Sequence, residues 1–278
     1  MEAPAAILAL VLAMTAVGGS ALVWFFPTWG AVRHGYEVLS AALVALLAWG
    51  AWGSLRAPVR TLESTASASD GQLALTLLLV LAIASGLAAL LLVVPAPAVL
   101  ARLVGGAGTL AGLASFVPLA AIRAARDGAG GLPQGVAELL LGSLLLGGIW
   151  AGMVLGHWYL VERRLTNRYM VVMAWTNIAA VVAGLVSVLL SGRNPAPCED
   201  LTGAAFQACA QTFSPILRIG SMTLTLGIGV LALIALIAGF NLKLAREGGR
   251  SIQASTGMYY LAVILAPAAE FAAKVRFF

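Results

Sequence analysis

Two histidines, His34 and His157, are the residues of this chain best suited to chemistry. An imidazole can donate or accept a proton and can ligate a metal. His157 sits in the stretch Gly147–Arg164, GGIWAGMVLGHWYLVERR. Gly148, Gly152 and Gly156 are spaced by four, so on a helix they form one stripe where another backbone or a flat ligand can approach closely. Trp150, Met153 and His157 fall on an adjacent stripe. Trp158 and Tyr159 then mark a membrane interface, and Glu162, Arg163 and Arg164 leave it. Plain helix packing accounts for the glycines and Trp158. It does not account for a histidine at this depth, which must find a partner or a ligand.

Two ligand chemistries fit. A quinone or quinol needs hydrogen-bond partners for its oxygens, a flat apolar slot and an entrance near the head groups. His157, Trp158, Tyr159 and Arg163 offer that set, with Tyr36 and Glu37 able to approach from a neighbouring helix. A haem b held between helices needs two axial nitrogens, for which the chain offers the single pair His34 and His157. Arg102, followed by Gly105, Gly106 and Gly108, is a weaker candidate, either to bind a lipid phosphate or simply to snorkel to the interface. Glu270 and Lys274 stand at i,i+4 and are expected to pair with each other as a structural feature. The chain shows no paired-aspartate motif of lipid-phosphate enzymes, no Gly-x-Ser-x-Gly elbow and no HExxH pair, so no catalytic residue is assigned.

The elements that must position these groups follow from composition. Of 278 residues, 61% are hydrophobic and 10% charged, and the mean hydropathy is +0.99. A soluble domain is roughly 45–50% apolar and about 25% charged. A water-soluble globule, a disordered chain and a nucleic-acid module are excluded, and the formal charge of +5 is spread over short loops rather than gathered in one basic patch. The N-terminus, MEAP, lacks the positive start of a secretory signal, so the first apolar segment is expected to be a permanent span.

About 20 apolar residues cross a hydrocarbon core. Eight segments qualify, near Pro4–Phe26, Gly35–Leu55, Leu73–Val94, Ala98–Ile122, Gly135–Val161, Tyr169–Leu190, Pro215–Leu242 and Ser255–Ala273. Continuous apolar character without period-2 alternation makes them helices, not barrel strands. The expected fold is all-α: a single integral membrane domain over residues 1–278, a bundle of about eight transmembrane helices. The longest connection is the polar loop 191–214.

Eight spans put both termini on one face, side B, with the first, third, fifth and seventh loops on side A. Basic residues divide eight and eight, Arg123 and Arg126 counting as loop cations of side B, so the positive-inside rule decides nothing. Acids lean the balance, three on side A against eight on side B. Cys198 and Cys209 lie in the same side B loop, in CEDLTGAAFQAC, close enough to close a disulfide ring; such a bond persists only in an oxidising compartment. Side B, with both termini, is therefore expected on the periplasmic face of a bacterial inner membrane.

Eight spans, termini outside, no hydrolytic motif, and the ending Glu270 then Lys274-Val275-Arg276-Phe277-Phe278 resemble the quinol-linked membrane anchor subunits of the DMSO-reductase and polysulfide-reductase (NrfD-like) type. That resemblance implies a subunit that binds quinone, docks a soluble or peripheral redox subunit and carries no haem. The expectation is an integral membrane subunit of a multi-subunit respiratory or electron-transfer complex, with lipid bilayer and redox subunits as partners. The alternatives are a small-molecule or lipid transporter or channel, and a non-catalytic scaffold subunit.

Overall fold

A computed structural model describes residues 3–26, 28, 30, 32, 34–62, 66–94, 97–125, 130–162, 165–194, 201–212 and 220–277. Among these the protein is all-helical. The helices are α1 (Ala3–Phe25), α2 (His34–Arg60), α3 (Ala68–Val93), α4 (Ala98–Ala124), α5 (Leu132–Val161), α6 (Arg168–Ser191), the short α7 (Gly203–Thr212), α8 (Gly220–Glu247) and α9 (Ser251–Lys274). All but α7 contain a stretch long and apolar enough to cross a membrane.

The helices form because lipid offers the backbone no other hydrogen-bond partner. Five helix threonines follow the same rule: Thr15, Thr76, Thr109, Thr176 and Thr256 each donate to the carbonyl four residues back. Most ends fall within a few residues of the expected positions, but α2, α3, α8 and α9 run one or more turns further than hydropathy suggested. α2 continues past Leu55 through Arg56 and Pro58 to Arg60, and α8 continues to Glu247. Polar residues at a span end are cheap where the helix enters the head-group layer. The loop 191–214 is also more ordered than its sequence implied, since it contains α7. Cys209 lies on α7, whereas Cys198 falls outside the described residues.

α5 and α1 are the centre: 78% and 72% of their apolar windows are buried inside the protein, more than in any other described span. α5 packs on α1, α4, α6 and α9, while α2 and α3 lie beyond α1 and α4, and α8 lies against α6 and α9. The axis of this arrangement is a glycine crossing between α1 and α5. A Cβ on Gly147 would lie 2.2 Å from the backbone carbon of Gly18, and one on Gly18 would lie 1.9 Å from the carbonyl oxygen of Ser143. The two backbones touch there, as small residues permit in membranes. Higher up the same pair, a Cβ on Gly19 would meet the Trp150 ring at 2.7 Å, so the indole fills that gap.

Candidate functional site

The glycine stripe of α5 is occupied by the protein itself. A Cβ on Gly148 would meet Ala180 and Asn177 at 3.0 Å; one on Gly152 would meet Tyr259 at 2.3 Å; one on Gly156 would meet Thr256 at 2.8 Å. The stripe seats α6 and α9, and leaves no slot for a flat ligand along these three glycines. Between them Asn177 Nδ2 donates to the buried Tyr259 hydroxyl at 2.7 Å.

Of the adjacent stripe, Trp150 is buried against α1, whereas Met153 and His157 open outward. His157 and Met153, with Val154, Leu39, Leu43 and Tyr260, line a groove of about 210 Å³ on the outer surface of the bundle. His157 Nδ1 and the Tyr260 hydroxyl are 2.9 Å apart. They are the polar groups of an otherwise apolar groove. His157 lies four residues before the end of α5, about 6 Å of helix rise, which places it near head-group depth on side A.

The other sequence-selected residues sit around this point but not all within it. Trp158 packs its ring on Gly35, where a Cβ would come within 2.4 Å, and so ties α5 to the start of α2. Its indole nitrogen is buried without a partner. Tyr159 is buried and its hydroxyl donates to the Thr166 carbonyl at 2.5 Å. It lines a separate polar cleft of about 590 Å³ with Asn167, Glu247, Arg250 and Gln253. Arg163 lies outside the described residues. His34 bonds through Nε2 to the Leu92 carbonyl and stands 3.8 Å from Glu37. Glu37 accepts the Gly30 N–H at 2.7 Å. The two imidazoles therefore have separate partners. Among the described residues no group of three metal-ligating side chains occurs.

At the opposite end of the bundle lies a site whose members are scattered along the sequence. Arg123, Glu138, Glu270 and Lys274 are all fully buried. Arg123 Nη1 donates to Glu138 Oε1 at 2.5 Å. Lys274 Nζ stands 3.4 Å from Glu270 Oε2 and 3.9 Å from Glu138 Oε2. The expected Glu270–Lys274 pair is present, but it is half of a formally neutral four-charge cluster. Four helices contribute, and α6 supplies the lining: Ser191 donates to Glu138 Oε2 at 2.9 Å, and Lys274 donates to Ser187 and Ser191 at 3.0 and 3.1 Å. Gln134 donates to Glu138 Oε1 at 2.9 Å, and Asn194 donates to the same carboxylate at 3.3 Å.

Arg123 is thus not a loop cation. Its guanidinium turns back into the bundle, bonds the Gly130 carbonyl at 2.8 Å and lies over the Phe277 ring at 5.2 Å. Space for this comes from glycine: a Cβ on Gly130 would lie 2.7 Å from Arg123 Nη2, and one on Gly135 would press on Ala120 at 2.8 Å. The signal was in the sequence. Arg123 and Glu138 are each seven residues from the turn at Gly130-Gly131, so an antiparallel helix pair sets them level.

Compared with known proteins, the chain matches no family model, no curated relative and no solved structure.

Proposed function

We propose that this chain is an integral membrane subunit of a respiratory or electron-transfer complex in a bacterial inner membrane, and that it takes a quinone or quinol head group at the His157–Tyr260 groove. The observation that carries this reading is the hydrogen-bonded imidazole–phenol pair in an apolar groove open to the lipid phase. A neutral imidazole donates at one nitrogen and accepts at the other. When the Tyr260 hydroxyl donates to Nδ1, Nε2–H is free to donate to a quinone carbonyl. When Nδ1–H donates to Tyr260, Nε2 accepts from a quinol hydroxyl. The pair can therefore serve both redox states by exchanging tautomers, with no charge created in the lipid. Met153, Val154, Leu39 and Leu43 supply the flat apolar walls.

The quinone would supply the two-electron chemistry. The electrons would pass to or from a redox subunit docked outside the bilayer. Short connections between the spans leave little mass there, which fits a chain that works through partners. The expected Cys198–Cys209 bridge, with side B periplasmic, would put the quinone groove toward the cytoplasmic face.

The test is binding of a quinone analogue to the purified complex in mild detergent. Wild type binds and His157→Leu loses at least about tenfold in affinity, the worth of one good hydrogen bond at about 1.4 kcal/mol. Equal binding by both proteins refutes the site. A Soret band in the purified complex would instead assign the histidines to haem b.

A further inference from the structure

The four-charge cluster at the side B end of α4, α5, α6 and α9 has no part in the quinone reading. Such a group of ionisable side chains inside a membrane protein needs its own account. The charges balance, yet the hydrogen bonds do not. Glu138 is served at both oxygens by Arg123, Gln134, Ser191 and Asn194. Glu270 is fully buried as well, but its Oε1 has no hydrogen-bond partner, and its Oε2 receives only Ser187 at 3.4 Å and Lys274 at 3.4 Å. Lys274 is shared between the two carboxylates. Among the described residues, the groups beside Glu270 from other helices bring no further charge: α5 gives Gly142, next to which Met14 of α1 packs, and α6 gives the Ser187 hydroxyl. The charged groups in reach are Lys274 on its own helix, Glu138 on α5 and, beyond it, Arg123 on α4.

We propose that Glu270 is a proton-binding site that is loaded and unloaded inside the membrane domain, with Lys274 moving its allegiance between Glu270 and Glu138. Proton uptake forms an O–H bond on the Glu270 carboxylate, and the ammonium group then remains with Glu138. Release restores the shared arrangement. The cluster changes from neutral to singly positive on loading and back on release. A second orphan acceptor, Asn177 Oδ1, is buried beside Gly148, six residues on from Gly142 and on another face of α5. Leu145, packed on Gly184, occupies the interval.

The experiment is infrared difference spectroscopy of the full chain, with its native partners, in lipid, taken from mildly acidic to mildly alkaline pH. A protonated-carboxyl absorption that titrates is expected, absent from Glu270→Gln. In Glu138→Gln the absorption persists with its midpoint about one to three pH units lower, because a neighbouring negative charge that favoured the protonated form is gone. An absorption that fails to titrate, that survives in Glu270→Gln, or that keeps its midpoint in Glu138→Gln overturns the proposal. The outcome is independent of quinone binding, since neither variant touches the His157 groove.

Discussion

Removing Arg123 tests the buried cluster most sharply. In Arg123→Met the Glu138 carboxylate loses its 2.5 Å partner and keeps Lys274 only at 3.9 Å, already engaged with Glu270 at 3.4 Å. Breaking one side of a fully buried pair costs about 3–5 kcal/mol, a factor of roughly 10² to 10⁴ in the unfolding equilibrium. Glu138→Gln is expected to cost a similar amount, because it strands the guanidinium. The double variant is the decisive one. It leaves the Lys274–Glu270 pair and no stranded charge, so the Coulombic loss disappears. What remains is the lost bond to the Gly130 carbonyl and the lost stacking over Phe277, about 1 kcal/mol each. The double variant should therefore be more stable than either single one, at roughly 2 kcal/mol below wild type. Reversible unfolding by SDS titration in mixed micelles reads all four proteins. Additive losses, which would approach about 6–10 kcal/mol in the double variant, would refute the claim that these two charges act as one unit.

Three other outcomes follow from particular contacts. Gly147→Val should destabilise the bundle by more than the roughly 1–3 kcal/mol usual for overpacking, since its Cβ would meet the Gly18 backbone, which cannot yield as a side chain would; SDS titration should show it, while Gly257→Val, with nothing near its Cβ, should stay near wild type. Peptide mapping without reductant should recover residues 198 and 209 in one cross-linked species, and loss of that species on reduction should leave the eight spans folded. A membrane-impermeant thiol reagent applied to spheroplasts after reduction should label these cysteines from outside; labelling only after lysis would reverse the assigned sidedness.

The spans were legible because lipid leaves the backbone one solution, and a continuous apolar stretch of sufficient length announces it. Their ends were less so: Arg56, Arg60 and Glu247 belong to helices, but hydropathy drops as soon as a charged residue enters the window. The stripe containing Met153 and His157 was also legible, because helical periodicity alone makes them neighbours, whereas Tyr260 could be added only by the packing of α9 on α5. Tyr159 shows the limit of such reasoning. Sequence adjacency grouped it with His157, but two residues along a helix is a turn through about 200°, and its hydroxyl reaches Thr166 instead. The charge cluster was divided because each member looked like an ordinary span-end residue. Only the level placement of Arg123 and Glu138 across the Gly130-Gly131 turn joined them, and the arrival of α9 completed the group.

A quinone head group held between His157 and Tyr260 can be caught by photolabelling the complex with an azido-quinone and mapping the modified peptides. Label is expected on α5 around Met153–His157 and on α9 at Tyr260, suppressed by excess unlabelled quinone and absent in His157→Leu. Saturable label confined to other helices would contradict it.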